Sequence, residues 1–283
     1  MKDVGMSSKL AAIQMTGGMS LSDNLDQASA LIELAAKKGA KLIVLPENFA
    51  YFGQKEIKNI AKIENSKGPA RKFLAEQAIK HKVWIVGGTI PIKEDHISLN
   101  HLPSSSCFVL DDKGNEVACY QKIHLFDAVV DDPKESYCES SEYSPGNLPV
   151  IIDTPVGRLG IAICYDLRFP ELFSYLSAHG AEAIAIPSAF TSQTGESHWS
   201  ILLRARAIEN LIYIIGANMG NRQHPKRPTW GGSAIIDPWG NVISQLEEGL
   251  GIVTADIDLS YLKGLRNNLP VHEHRRFNII KPK

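Results

Sequence analysis

Short apolar runs rich in β-branched residues alternate along this chain with longer segments of helical period, and that alternation limits the fold more than any other feature. Residues 9–15 and 41–45 are compact and apolar, as strands buried on both faces are. Between them Leu25, Ala28, Leu31, Ile32, Ala35 and Ala36 recur at helical spacing. This predicts a helix over residues 23–38, with Ser22 as N-cap and Gly39 as its end. The same pattern predicts helices over 69–81, 171–179 and 198–210, and strands over 83–89, 158–163, 183–186 and 211–217. Two hairpins are interleaved. Residues 107–110 and 116–121 flank Asp111-Asp112-Lys113-Gly114-Asn115, and residues 233–236 and 242–244 flank Asp237-Pro238-Trp239-Gly240-Asn241. A last strand over 252–257 precedes a basic tail. Helices alternating with strands, plus hairpins, predict an α/β fold with mixed sheets rather than all-parallel ones. Residues 123–149 show no clear period and many Ser, Pro and acidic residues, which predicts a functional loop or a disordered one. No break in composition divides the chain, so one domain over residues 8–277 is expected, with short tails at 1–7 and 278–283.

Thirty Lys and Arg face thirty-one Asp and Glu among the 283 residues, a formal net charge of −1. Nucleic-acid proteins usually carry a basic excess, so a general polyanion binder is not expected. No apolar run approaches the roughly 18 residues needed to cross a bilayer. Residues 1–9 are polar and lack an apolar signal core. A cytoplasmic protein bound to neither membrane nor nucleic acid is the expectation. The four cysteines, Cys107, Cys119, Cys138 and Cys164, include no Cys-x-x-Cys pair and suit a reducing compartment. His272-Glu273-His274 looks like a metal tract, but arginines follow and no other ligands cluster nearby. It reads as a solvated tail or an interface.

Three residues stand out chemically. Glu47 follows Leu42-Ile43-Val44-Leu45-Pro46, so its carboxylate is delivered at the C-terminal end of a buried strand, where ligands collect in open α/β sheets. An ordinary loop acid is the competing reading. Cys164 ends the apolar run Gly157-Arg158-Leu159-Gly160-Ile161-Ala162-Ile163, ahead of Pro170, which can open a helix. A helix N-terminus there would favour thiolate. A buried structural cysteine is the alternative, and it is the reading given to Cys107 and Cys119. Lys122, after the run 116–121, is by itself an ordinary surface charge. Together the three supply a nucleophile, a base for its proton and a cation for an oxyanion, with no histidine required. No G-x-S-x-G, Walker A, G-x-G-x-x-G or H-E-x-x-H motif competes with them.

Glu47 in L-P-E-N, Lys122 in Y-Q-K-I-H-L-F-D and Cys164 in G-I-A-I-C-Y-D-L-R-F-P-E-L, in that order, resemble the nitrilase (carbon–nitrogen hydrolase) superfamily over nearly the whole chain. The resemblance implies an αββα sandwich, protomers paired into homodimers or dimer-based assemblies, and no metal or organic cofactor. It implies a catalytic triad of Glu47, Lys122 and Cys164 acting on a small-molecule amide through a cysteine thioester. In that scheme Cys164 attacks the carbonyl of a primary amide, while Lys122 and the Tyr165 backbone N–H hold the oxyanion. Glu47, its pKa raised by burial, moves protons to the departing ammonia and from water. Pro187-Ser188-Ala189-Phe190, Thr194-Gly195 and His198-Trp199 resemble the amidase branch that includes ω-amidase and deaminated glutathione amidase. Cys138-Glu139-Ser140 and the tail over 262–276 lie nearer the latter. Glu139 resembles a second, loop-borne glutamate that positions substrate or lysine, and Ser188 and Phe190 are expected to position substrate. Trp230-Gly231-Gly232-Ser233 departs from an expected aromatic-Gly-His-Ser segment. Asp166 and Arg168 could touch substrate carboxylates, but an internal ion pair that shapes the turn is the expected role. The basic loop with Arg222, His224, Lys226 and Arg227 either attracts an anionic substrate or is an exposed loop, and it is not counted in the site.

Overall fold

Strand β1 (Ser8–Gln14) is apolar on both faces because its sheet is covered on both sides. Leu10 and Ala12 belong to one buried cluster, Ala11 and Ile13 to another. Strand β2 (Leu42–Val44) divides the same way: Leu42 and Val44 go to the first cluster and Ile43 to the second. This is the two-residue period of a pleated strand. The computed structural model in which these contacts occur describes residues 8–53, 56–65, 67–93, 102–130 and 136–277. The expected tails, 1–7 and 278–283, lie outside the described residues.

Between β1 and β2 runs α1 (Leu21–Lys37), and then come α2 (Ile57–Asn65), α3 (Pro69–His81), β3 (Trp84–Val86), β4 (Ile90–Ile92), β5 (Ser104–Leu110) and β6 (Glu116–Gln121). These strands and β15 (Gly251–Ile257) form one mixed sheet in the order β15-β1-β2-β3-β5-β4, with β6 beside β5. β1, β2 and β3 are parallel, with Leu10 opposite Leu42 and Leu42 opposite Trp84. A two-stranded ribbon follows, β7 (Asp127–Val129) and β8 (Ser136–Cys138), and then β9 (Ile151–Thr154), β10 (Gly157–Ile161), α4 (Pro170–Ala178), β11 (Ala183–Ser188) and α5 (Ser192–Thr194). The chain continues through α6 (Ser200–Asn210), β12 (Tyr213–Asn218), β13 (Ser233–Ile236) and β14 (Val242–Leu246), and α7 (Leu259–Asn268) comes after β15. The second sheet has the order β14-β13-β12-β11-β10-β9, with β10, β11 and β12 parallel.

The two sheets face each other, with β1 against β12 and β2 against β11. Between them lie Leu10, Val44, Val109, Ile161 and Ile186. Outside the first sheet, Leu31 and Ile32 of α1 and Phe73 and Leu74 of α3 close the other cluster. Outside the second, Phe173 of α4 and Leu203 of α6 pack inward. The layers therefore run helix, sheet, sheet, helix, the expected αββα sandwich. Each fully buried Leu or Phe contributes roughly 1.5–3 kcal/mol through its lost apolar exposure.

Local chemistry explains where the observed elements differ from the expected ones. Helix α1 begins two residues early and is capped by Ser20, not Ser22, because Leu21 packs on the core and Ser20 Oγ accepts from the Asp23 N–H. Helix α2 is new, although Ile57, Ile60, Ala61 and Glu64 bury one helical face. Its acid Glu64 interrupts the apolar stripe and receives the first N–H groups of α3, from Ala70 and Arg71. The basic tail folds into α7, where Arg266 donates to the Leu211 and Ala181 carbonyls. Both hairpin turns form as expected, with the first aspartate of each accepting two backbone N–H groups. Among the described residues, no helix is long and apolar enough to cross a membrane.

Candidate active site

Parallel strands deliver their C-terminal ends to one rim of a sheet, and the expected site lies on that rim. Glu47 leaves the end of β2, Cys164 the end of β10, and Ala189 and Phe190 the end of β11. Lys122 comes from the end of β6 and Glu139 from the turn after β8. Glu47, Lys122, Cys164, Glu139, Tyr165 and Phe190 all line one cavity of about 250 Å³.

Glu47 is fixed by what surrounds its strand end. Gly88 has φ +59, and a Cβ there would lie 2.2 Å from the Pro46 carbonyl oxygen, so only glycine lets the end of β3 come this close. Thr89 Oγ1 accepts from the Asn48 N–H at 2.9 Å. Lys122 Nζ then donates to Glu47 Oε1 at 2.8 Å and to both oxygens of Glu139 at 2.9 Å. The Ala189 N–H donates to Glu47 Oε2 at 2.9 Å, and the Phe126 N–H to Glu139 Oε2 at 2.7 Å. Glu47 and Lys122 are each only 2% exposed, so the pair operates away from bulk water.

Cys164 opens a 3-10 turn with φ 44, a left-handed conformation that costs a non-glycine residue about 1–3 kcal/mol. The fully buried Asp166 holds that turn. Its Oδ2 accepts from the Ile163 N–H at 2.8 Å and the Tyr120 hydroxyl at 2.7 Å. Its Oδ1 accepts from the His124 N–H at 3.0 Å and lies 2.7 Å from His124 Nδ1. The His124 ring stacks on Phe169 at 3.6 Å between centroids. Asp166 therefore ties the Cys164 turn to the strand end that carries Lys122. The expected Asp166–Arg168 ion pair does not form. Arg168 instead lines the cavity, lies over the Tyr165 and Phe190 rings and places a guanidinium nitrogen 3.2 Å from His198 Nδ1.

Burial and charge set the protonation states. Burial pushes the Glu47 carboxyl up, but the Lys122 ammonium and the Arg227 guanidinium outweigh it, and the net direction is below the ordinary 4.5. This reverses the expectation of a raised pKa, which considered burial alone. Burial, then the adjacent Glu47 carboxylate, push the Cys164 thiol well above 9.0, with Lys122 and the Ala189 N–H opposing. Burial works against the Lys122 charge, but the carboxylates of Glu139 and Glu47 outweigh it and hold the amine well above 10.5. The resting trio is thus thiol, carboxylate and ammonium, not the thiolate that a helix N-terminus would favour. The Glu47 carboxylate lines the same cavity as the thiol, so a base stands close by.

Ser188 does not reach the cavity lining. It is fully buried, and its hydroxyl donates back to the Ile186 carbonyl at 3.2 Å. Phe190 does line the cavity, held by its N–H on the Oδ1 of buried Asn218 at 2.9 Å. Arg227 lines the cavity although its loop was not counted in the site. The Gly231-Gly232 departure lies off the cavity lining: a Cβ on Gly232 would meet Trp199 and the Trp230 indole nitrogen at 3.0–3.1 Å. In the tract 272–274, Glu273 and His274 are exposed as expected, whereas His272 is half-buried, with its Nε2 3.2 Å from Ser177 Oγ and 3.1 Å from the Asn210 carbonyl. Among the described residues no group of three or more His, Cys, Asp or Glu could hold a metal.

The family model for carbon-nitrogen hydrolase matches residues 9–267. The deaminated glutathione amidase of Yersinia enterocolitica is 39% identical over 268 residues, covering 95% of this chain and 93% of the relative. The omega-amidase NIT2 of Danio rerio is 37% identical over 270 residues, covering 95% of this chain and 94% of the relative. The crystal structure of the Caenorhabditis elegans NitFhit protein superposes with a TM-score of 0.86 at 36% identity, covering 97% of this chain and 67% of that one. The chain belongs to the carbon–nitrogen hydrolase family of the nitrilase superfamily and is an enzyme of that class.

Proposed function

We propose that this enzyme hydrolyses the amide of deaminated glutathione through a thioester on Cys164. The observation that carries the reading is the resting trio: a buried thiol in one cavity with the buried carboxylate that would take its proton, and an ammonium 2.8 Å from that carboxylate. The Cys164 sulfur attacks the amide carbon as Glu47 accepts the thiol proton. Lys122 and the Tyr165 N–H hold the oxyanion; the opening N–H groups of a helical turn have no intrahelical acceptor. Removing one oxyanion donor typically costs a factor of roughly 100–1000 in rate. Glu47 passes its proton to the nitrogen as the C–N bond breaks. It then takes a proton from the water that attacks the thioester, and the departing sulfur recovers it. Glu139 positions the Lys122 ammonium, and Phe190 walls the substrate.

The leaving group differs from the one expected for a primary amide. Glutathione joins the glutamate γ-carboxyl to cysteinylglycine, so cleavage at that bond releases the cysteinylglycine amine rather than ammonia. The similarity to an ω-amidase favours a second reading, a primary amide such as α-ketoglutaramate with ammonia released. Amine and ammonia release measured side by side on deaminated glutathione, α-ketoglutaramate and simple amides tests the choice. A higher kcat/KM on deaminated glutathione supports the first reading, and a clear preference for α-ketoglutaramate replaces it with the second.

We further propose that residues 8–277 act as one domain in the cytoplasm and that protomers pair through α6. The proposed chemistry needs Cys164 as a thiol, which suits a reducing compartment. Ile201 and Ile208 on α6 are 68% and 47% exposed, and the adjoining turn exposes Trp239. Light scattering that gives a dimer mass supports the pairing, and a monomer at micromolar concentration refutes it.

A further inference from the structure

One cation on the cavity wall is incompletely satisfied. Arg227 Nε is buried without a hydrogen-bond partner, and among the described residues it is the only such side-chain atom on a residue lining the cavity. Buried polar groups are nearly always paired, and an unpaired one on a charged side chain calls for a partner. A guanidinium only donates, so that partner must be an acceptor, and an anionic acceptor matches its charge and forked geometry best.

The surroundings hold Arg227 in place. Its guanidinium lies over the Phe52 ring at 5.1 Å, and the Arg227 backbone N–H donates to His224 Nδ1 at 3.0 Å. The Ser192 N–H donates to the Pro228 carbonyl at 3.0 Å, which ties the loop to the rim of β11. The other cations of the cavity are placed differently. Lys122 directs its donors at Glu47 and Glu139. Arg168 stands on the Cys164 turn, over Tyr165 and Phe190, whereas Arg227 lies over Phe52. The acyl part of a substrate becomes attached to Cys164, beside Arg168. That leaves Arg227, on the loop beside Phe52, for the amine part.

We propose that Arg227 is a specificity-determining residue that binds a carboxylate on the amine part of the substrate, so that the cavity selects amides with an anionic leaving group. This rests on the amide-hydrolase reading above, in which the amine part of deaminated glutathione ends in the glycine carboxylate. An amide that releases only ammonia offers Arg227 nothing to bind.

Titration calorimetry in a Cys164→Ala background, where no turnover occurs, reads the contact directly. The two probes are deaminated glutathione and its analogue with a carboxamide in place of the glycine carboxylate. With Arg227 present the acid binds roughly 10- to 100-fold tighter than the carboxamide, the range of a charge-assisted hydrogen bond. Arg227→Met brings the ratio to near one, and Arg227→Lys retains part of it. No preference for the acid at the outset, or a preference undiminished in Arg227→Met, overturns the proposal. Cleavage by the enzyme with Cys164 intact is scored separately. An acid that binds through Arg227 but is not cleaved sinks the proposed substrate and leaves Arg227 standing; cleavage without acid preference does the reverse.

Discussion

Replacing Glu139 by Gln isolates the second carboxylate of the site. The Lys122 ammonium has three N–H bonds and meets three carboxylate oxygens, one from Glu47 at 2.8 Å and two from Glu139 at 2.9 Å. Glutamine keeps the shape and one acceptor oxygen but loses the charge. A hydrogen bond to a charged group contributes about 1.5–3 kcal/mol and a neutral one about 0.5–1.5, so the loss is about 1–2 kcal/mol. If Lys122 must be aimed at the oxyanion, that loss appears in the barrier as a roughly 5- to 30-fold fall in kcat, with KM little changed. A second signature follows from the charge. Glu139 is the largest influence raising the Lys122 pKa, so its neutralisation moves the alkaline limb of the rate profile to lower pH. The assay is steady-state kinetics from about pH 6 to the most alkaline pH at which the fold persists, with thermal unfolding alongside. A kcat within twofold of the unmodified enzyme, with the alkaline limb unmoved, would refute the positioning role and make Glu139 an ordinary loop acid.

The remaining expectations concern the protonation states and the two strand ends. Glu47 lies below 4.5 and so stays ionised as pH falls, while the Cys164 thiol and Lys122 ammonium keep their protons well past 9.0. The kcat/KM profile should therefore be flat between about pH 5 and 9, and an inflection near the histidine range of about 6.5 would contradict this assignment. Asp166→Asn gives up the charge that holds Tyr120, His124 and the Ile163 N–H. It should lower stability by about 2–4 kcal/mol and activity together, and an unchanged melting temperature would show that Asp166 does not hold the turn. Gly88→Ala puts a Cβ against the Pro46 carbonyl and should displace Glu47. A kcat equal to that of the parent would show that the strand end has slack.

How far the site could be read from sequence depends on where each residue lies. Glu47 and Cys164 stand where apolar runs stop, and a buried strand announces its end in sequence, so both were legible. Lys122 follows an amphipathic strand of mixed burial and acquired meaning only beside the other two. Asp166 was misread because its partners, Tyr120 and His124, are more than forty residues away and its near neighbour Arg168 looked like the natural mate. Arg227 was passed over because a basic loop looks the same whether it faces solvent or a cavity. The direction of the Glu47 pKa was missed because burial shows in an apolar strand, whereas the opposing charges come from Lys122 and Arg227. The apolar period of helix α2 is broken in sequence by the buried acid Glu64, which hides the helix.

The central claim is a covalent thioester on Cys164, and intact-mass spectrometry of enzyme quenched in acid during turnover of an amide substrate tests it most directly. The account predicts an adduct with the mass of the acyl group, mapping to the Cys164 peptide and absent, together with turnover, from Cys164→Ala. Turnover that persists in Cys164→Ala, or an acyl adduct on any other residue, would contradict it.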